Sequence, residues 1–343
     1  MQMTRLGKTG PEVSALGLGC MGMSGMYGPA DEKESIATIH AALDAGINLL
    51  DTGDFYGMGH NEMLLQKALT GQPRDRYFVC VKFGGMRAPN GAFIGIDTRP
   101  VAVKNFLAYT LKRLGVDYVD LYQPARVDPS VPIEDTVGAI AEMVKAGYVR
   151  HVGLSEASSA TIRRAVGVHP IAALQIEYSL ISRGMETQIL PTVRELGMSV
   201  TAYGVYSRGL LTGSVPSKES TARGDIRGHF PRFQGENLAK NQEMILKLQT
   251  IARQKGVGVA QLALGWILTK GNEIIPLVGA RTRVQLNEAL ETLSLSFSAS
   301  DVAALENAIP AESVAGERYA VEQMRTLDSE RKSSMSRGSE LRG

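Results

Sequence analysis

One phrase recurs along this chain and restricts what it can fold into. The phrase is a helical pattern, then a small or branched residue with glycine, then a short β-rich run. It occurs at Ala45-Gly46 before NLLDT, Leu114-Gly115 before YVDLYQ, Ala146-Gly147 before YVRHVGLS, and Leu196-Gly197 before SVTAYGV. Glycine tolerates the left-handed conformation that ends a helix, and the runs that follow are too apolar for strands with one face in water. YFVCVK (Tyr77 to Lys82), AALQIEY (Ala172 to Tyr178), EIIPLVG (Glu273 to Gly279) and a first run from Val13 to Leu18 bring the total to eight strands of the parallel type. Eight such units in 343 residues predict an α/β fold, a closed (β/α)8 TIM barrel at residues 1–312 with residues 313–343 as a carboxyl-terminal tail. An open doubly wound sheet is the alternative.

The glycine turn in Thr4-Arg5-Leu6-Gly7-Lys8-Thr9-Gly10 predicts a hairpin leading into the first strand. The spacing G-x-G-x-x-G occurs at Gly17 to Gly22, but it is not a dinucleotide fingerprint. That motif opens a helix at its last glycine, and here SGMYGP intervenes before any helix can start near Asp31. These glycines more simply let the backbone pass close to something.

The charge balance is even, 37 basic against 35 acidic residues for a net +2, and the first 300 positions hold no basic block. Nucleic acid and membrane surfaces are therefore not expected partners, which leaves small molecules. Two cysteines, Cys20 and Cys80, cannot build a disulfide framework, and no charged-then-apolar leader is present, so the expected location is the cytoplasm. Five scattered histidines form no metal-spaced pair, and no metal site is expected.

In a barrel of this kind chemistry sits where strands end. Asp51 ends the second strand, Tyr56 follows in its loop, and Lys82 ends the third strand. Asp and Tyr in a glycine-bearing loop are also ordinary turn residues, and a strand-end lysine can be a snorkelling rim residue. Together the three suit acid-base work: an ammonium beside a phenol favours the phenolate and lowers its pKa, while a carboxylate holds the ammonium charged.

DTGDFYG followed by Asn61-Glu62 resembles the aldo-keto reductase signature, in which an Asp and a Tyr five residues apart are catalytic. The resemblance extends from about Leu6 to Leu290. LGLGCMGMSGMYGP (Leu16 to Pro29) is similar to the opening of the family's bacterial branch, and VRHVGLSE, LQIEYSLISR, SRGLLTG and IPLVGAR recur in order. It implies a (β/α)8 barrel that binds NADPH without a Rossmann fold. It also implies reduction of an aldehyde or ketone, with Tyr56 as proton donor supported by Lys82 and Asp51. The tetrad's histidine is missing: the family's His-Arg-Val-Asp-Pro is Ala125-Arg126-Val127-Asp128-Pro129 here. A water or a bulkier substrate then fills the gap, or ordinary reductase activity is lost.

The same resemblance assigns cofactor contacts. Gly22, Met23 and Asp51 would border the cofactor; Ser155 and Gln175 would hold the nicotinamide carboxamide, with Glu156 where an asparagine is expected. Tyr203 would stack on the nicotinamide, and Ser207, Arg208, Leu210 and Thr212 would cross the pyrophosphate. Gly279, Arg281, Gln285 and Glu288 would form the adenosine-phosphate site, where Ala289 replaces the usual asparagine. Arg281 is the candidate for the 2'-phosphate, which favours NADPH over NADH.

The segment from Ser214 to Asn241, after the seventh strand, is too long for a mere connection and reads as a functional loop, with helical pattern resuming at Gln242. Phe230 and Phe233 within it, with Tyr27, Tyr56, Phe83, Ala125 and Tyr206, are expected to form an apolar pocket. Such a pocket suits an aromatic or alicyclic carbonyl compound better than a highly charged one. Trp266 is expected in the core. Gly316 to Tyr319 and Met324 resemble a family tail that folds back over the barrel, while Ser329 to Gly343 is polar and expected to be mobile. Two rival functions stay open: an NADP(H)-binding sensor or interaction protein with weak catalysis, and a reductase of a conjugated double bond.

Overall fold

The structure, a computed structural model, describes residues 1–213 and 225–331. Eight parallel strands close into a barrel: β1 (Gly17–Gly19), β2 (Leu49–Gly53), β3 (Phe78–Phe83), β4 (Val119–Pro124), β5 (Val149–Ser155), β6 (Ile171–Glu177), β7 (Ser199–Tyr203) and β8 (Ile274–Val278). They lie in sequence order, and β8 closes on β1 through Leu277 opposite Gly17 and Val278 opposite Leu18. Closure leaves no sheet edge. An open sheet is thereby excluded.

Helices follow the strands in the expected alternation, from α1 (Glu32–Asp44) and α2 (His60–Leu69) through α3 (Pro100–Leu114), α4 (Ile133–Lys145), α5 (Ser159–Val166) and α6 (Ile189–Leu196). Asp31 accepts a hydrogen bond from the Glu34 amide and so caps α1. Among the described residues two helices, α7 (Gly235–Lys255) and α8 (Val259–Leu268), lie between β7 and β8, and α9 (Arg283–Glu291), α10 (Ala299–Ala308) and the short α11 (Val321–Met324) follow β8. The glycines singled out as helix stops all adopt positive φ: Gly46 86°, Gly115 67°, Gly147 85° and Gly197 65°.

Apolar side chains divide into two sets. The larger fills the space between strands and helices and contains Trp266, fully buried as expected. The smaller, with Leu49, Phe78, Cys80, Leu121, Ala173, Ile275 and Leu277, fills the inside of the barrel. Leu6 and Val13 belong to that inner set, because the opening hairpin (Met3–Arg5 paired with Glu12–Ser14) covers the amino ends of the strands. Gly17 shows why the glycine run is needed: a Cβ there would lie 2.6 Å from Leu277 Cδ2 and 2.7 Å from Leu49 Cδ2. The run ends in a 3-10 turn, Met21–Ser24, and not in a helix.

Three expectations need correction. The run from Val13 to Leu18 is not one strand: Val13 pairs within the opening hairpin, and the barrel strand is Gly17–Gly19. Helix α7 begins at Gly235, not Gln242, because its first turns are polar and carry no apolar rhythm; buried Asn241 bonds the carbonyls of Arg232 and Ala315 instead. The remainder of the long loop falls partly at 214–224, outside the described residues. Ser329, expected to be mobile, is held by Glu156, its hydroxyl on the carboxylate at 2.5 Å and its amide on the backbone carbonyl at 2.9 Å. Residues 332–343 lie outside the described residues. A second hairpin, Gly85–Arg87 paired with Phe93–Ile96, follows β3 and was not anticipated, although Pro89-Asn90-Gly91 is a turn sequence. Among the described residues no helix is long and apolar enough to cross a membrane.

Candidate active site

Side chains alternate along a strand, so the parity that sends Leu49, Cys80, Leu121, Ala173 and Leu277 inward also sends Asp51, Lys82, Gln123, Gln175 and Gly279 inward, nearer the carboxyl ends. There Asp51, Lys82, Gln175 and Gly279 meet a cavity of about 550 Å³, lined also by Tyr56, Ala125 and Tyr203 among others. Apolar residues thus occupy the lower part of the barrel interior and polar ones the upper part.

Asp51 and Lys82 form a buried ion pair, with Lys82 Nζ 2.8 Å from Oδ1 and 2.7 Å from Oδ2. Gln175 Nε2 donates to the same Oδ1 at 2.7 Å. Lys82 Nζ lies 5.1 Å from the centre of the Tyr56 ring, and Tyr56 is itself buried on the cavity wall. Burial works against the Lys82 charge, but Asp51 and Tyr56 more than offset it and its pKa is pushed up to about 12. The lowered phenol pKa expected for Tyr56 is not found. Burial pushes it up to about 12, and the pull of Lys82 only partly compensates, so the phenol keeps its proton at neutral pH.

Of the expected pocket residues, Tyr27, Tyr56, Ala125 and Tyr206 line the cavity. Phe83 does not. It follows inward-facing Lys82, so strand alternation turns it outward, where it stacks on Tyr122 with ring centres 4.2 Å apart. Phe233 packs against the outer core, and Phe230 takes the place on the cavity wall. Phe55, Phe93 and Tyr319 add aromatic surface that sequence reasoning did not assign to the pocket.

Of the expected cofactor residues, Gly22, Asp51, Gln175, Tyr203, Arg208, Thr212, Gly279, Arg281 and Gln285 line the same cavity. Met23 and Leu210 have their side chains in the outer core, and Ser207 is buried with its hydroxyl on Ser179 at 2.9 Å. Glu288 is exposed on α9, away from the cavity lining. The Ser155 hydroxyl is buried with no hydrogen-bond partner among the described residues. The Arg281 guanidinium donates, among the described residues, only to backbone, to the carbonyls of Tyr27 at 3.2 Å and Pro29 at 3.4 Å, and a Cβ on Gly22 would lie 3.2 Å from its Cγ.

Arg208 is already engaged, 2.8 Å from Glu177 Oε2, with its guanidinium over the rings of Phe230 and Tyr319 at 4.6 Å each. It belongs to a buried charge cluster. Arg318 from the tail donates to Glu156 at 3.1 and 2.9 Å, to Glu177 at 3.3 Å and to Glu330 at 2.6 Å. The Tyr203 hydroxyl donates to Glu156 at 2.7 Å and lies 3.0 Å from that of Tyr319. Burial opposes the charge of Glu156, but Arg318 and Arg126 hold its carboxyl well below the usual range. The departure at Glu156 was the sequence signal for this cluster; its partner Arg318, 162 positions further on, was not legible.

This chain belongs to the aldo/keto reductase family, whose profile matches residues 15–310. It is 40% identical over 320 residues, 93% of its length and 92% of the relative's, to "Probable aldo-keto reductase 1" of Glycine max. Among solved structures it is similar to the glycerol dehydrogenase AKR11B4 from Gluconobacter oxydans, with TM-score 0.80 and 27% identity over 95% of this chain and 96% of that one. It is also similar to a thermostable aldo-keto reductase, Tm1743, solved with the inhibitor epalrestat, at TM-score 0.71 and 26% identity over 90% and 100% of the two chains. The chain is an oxidoreductase of a family that acts on small-molecule carbonyl groups with nicotinamide cofactors.

Proposed function

We propose that this protein reduces an aldehyde or ketone to the alcohol with NADPH, and that Tyr56 delivers the proton. The observation that carries this reading is the buried Asp51–Lys82 pair beside a protonated phenol on the wall of one cavity. The residues present fit the cofactor. Among the described residues Ser155 offers a buried hydroxyl with no partner and Arg281 a guanidinium bound only to carbonyls, which suits a 2'-phosphate. Ser155 and Gln175 would hold the carboxamide, Tyr203 would face the ring, and the backbone about Ser207 to Leu210 would run along the pyrophosphate. NADPH, when bound, would supply the hydride.

The chain's own part is acid catalysis and positioning. Tyr56 donates its proton to the carbonyl oxygen as negative charge develops there, and the Lys82 ammonium stabilises the phenolate left behind. Asp51 keeps Lys82 charged and oriented, and Gln175 fixes Asp51. The walls of Tyr27, Phe55, Phe93, Tyr206, Phe230 and Tyr319 favour a substrate with an aromatic or alicyclic body. Two buried free cysteines suit a reducing compartment such as the cytoplasm.

The test is NADPH consumption against aldehydes, ketones and enones, with native protein and Tyr56→Phe. Ketone turnover that falls at least about a hundredfold in the variant, with NADPH affinity little changed, supports the reading. Turnover of enones alone would point to double-bond reduction. Tight NADPH binding with no turnover would point to a sensor.

A further inference from the structure

Among the described residues the cavity is lined by six Lys and Arg side chains, Lys82, Arg87, Arg126, Arg208, Arg227 and Arg281, and by a single carboxylate, Asp51. Three of the cations are matched by ion pairs: Lys82 with Asp51, Arg208 with Glu177, and Arg227 with Asp225. Arg281 stands beside Gly22 and α9 and is the candidate for the cofactor phosphate. Arg87 and Arg126 remain, and both lie on the β3–β4 side of the cavity, with Tyr56, Lys82 and Ala125.

Arg126 follows Ala125 directly, at the place where the family's histidine is missing. Among the described residues its bonds are all to neutral groups: Nη1 donates to the Ala125 carbonyl at 2.6 Å, Nη2 lies 3.4 Å from the Tyr319 hydroxyl, and the Tyr319 ring is centred 5.7 Å away. Glu156 acts on it at a distance. Both Glu156 oxygens, however, are taken up by Arg318, Tyr203, Ser329 and the Glu177 amide. A guanidinium so placed, without a carboxylate in ion-pair reach among the described residues, is a ready receptor for an anion, because its planar fork matches a carboxylate.

We propose that Arg126 binds a carboxylate of the substrate, so that this site takes oxo acids, carbonyl compounds whose carboxylate lies close to the reacting C=O. The inference rests on the reductase reading and narrows its substrate class. The alanine at 125 leaves room for the carboxylate where an imidazole would stand. In the reaction the carbonyl carbon gains a hydride, its oxygen gains the Tyr56 proton, and the carboxylate passes unchanged into a hydroxy acid. A ring-bearing oxo acid would satisfy both the aromatic walls and the cation.

The experiment compares benzoylformate with its uncharged methyl ester, as kcat/KM with NADPH saturating, in native protein, Arg126→Gln and Arg126→Lys. Thermal melting verifies that the variants fold. Arg126→Gln is expected to lose about tenfold to a hundredfold more on the acid than on the ester, mostly through KM, the range for a lost charge-assisted hydrogen bond. Arg126→Lys should recover part of the difference. Calorimetry of benzoylformate with NADP+-loaded protein should show the same order without turnover. Equal losses on acid and ester, or native protein that reduces the ester yet neither binds nor reduces the acid, would overturn the proposal and leave the reductase reading standing. Arg126-dependent binding of benzoylformate with turnover of neither compound would support the anion site and overturn the reductase reading. If benzoylformate is neither bound nor reduced and the ester is not reduced, both are overturned.

Discussion

Replacing Arg318 by methionine should release the tail from the barrel while leaving the barrel folded. The guanidinium makes four charge-assisted bonds, two to Glu156, one to Glu177 and one to Glu330. Glu177 would still have Arg208 at 2.8 Å and Arg232 at 3.7 Å. Glu156, fully buried, would lose its only cation in ion-pair reach among the described residues. The loss therefore falls on Glu156, and breaking one side of a buried pair costs about 3–5 kcal/mol. That cost is capped, because the tail can undock and let water reach the carboxylate. Hydrogen exchange of residues 315–331, read by mass spectrometry, should accelerate strongly while exchange in the barrel strands changes little. Adding Glu156→Asn removes the stranded charge and should restore most of the protection. Unchanged exchange in 315–331 would refute the reasoning. The pH dependence has a definite sign: Glu156 and Glu177 are both depressed in the folded state, so their stabilisation is present above the unfolded carboxyl value of about 4.3 and is lost as pH falls through the folded values. The tail of the native protein should therefore loosen in acid.

Three further outcomes are expected. Arg281→Met should weaken NADPH by roughly 1.5 to 3 kcal/mol and NADH far less, measured by fluorescence titration; equal losses would remove Arg281 from the 2'-phosphate. Ala125→His adds a donor and volume on the cavity wall, and should raise the ratio of small-aldehyde to bulky-ketone kcat/KM; an unchanged ratio would mean that position 125 does not face the substrate. Asp54 is buried with neither carboxylate oxygen in a well-formed hydrogen bond among the described residues, and burial together with Glu62 pushes its pKa up to about 8. A raised carboxyl favours the fold below the unfolded value of about 3.9 and loses that contribution as pH rises through about 8. Urea unfolding of native protein should thus fall in stability between those pH values, and Asp54→Asn should flatten the profile.

Much of the site was legible because strand alternation and strand ends are local properties. Asp51 and Lys82 could be placed at the mouth from short apolar runs and the glycines between them, whereas Gln175 came from the family motif. The same rule, applied one residue further, would have kept Phe83 out of the pocket, since a residue next to an inward lysine points outward. The sign of the Tyr56 shift was not legible. It depends on how far the phenol is dehydrated, and that is set by the walls around it. Helix α7 was misplaced at its start because polar residues carry no rhythm.

By itself the sequence determined the alternation of helices and strands, the number of barrel strands, the glycine stops and the family motifs, all of which rest on neighbours within a few residues. Only the tertiary structure decided which charges meet. Arg318 reaches Glu156 across 162 positions and Arg208 reaches Glu177 across 31, while Arg126, beside the missing histidine, hydrogen-bonds only neutral partners among the described residues. Charge pairing in a low-dielectric interior depends on distance in space, which no local pattern encodes, and so the cations left unmatched in the cavity emerge only once the barrel is closed.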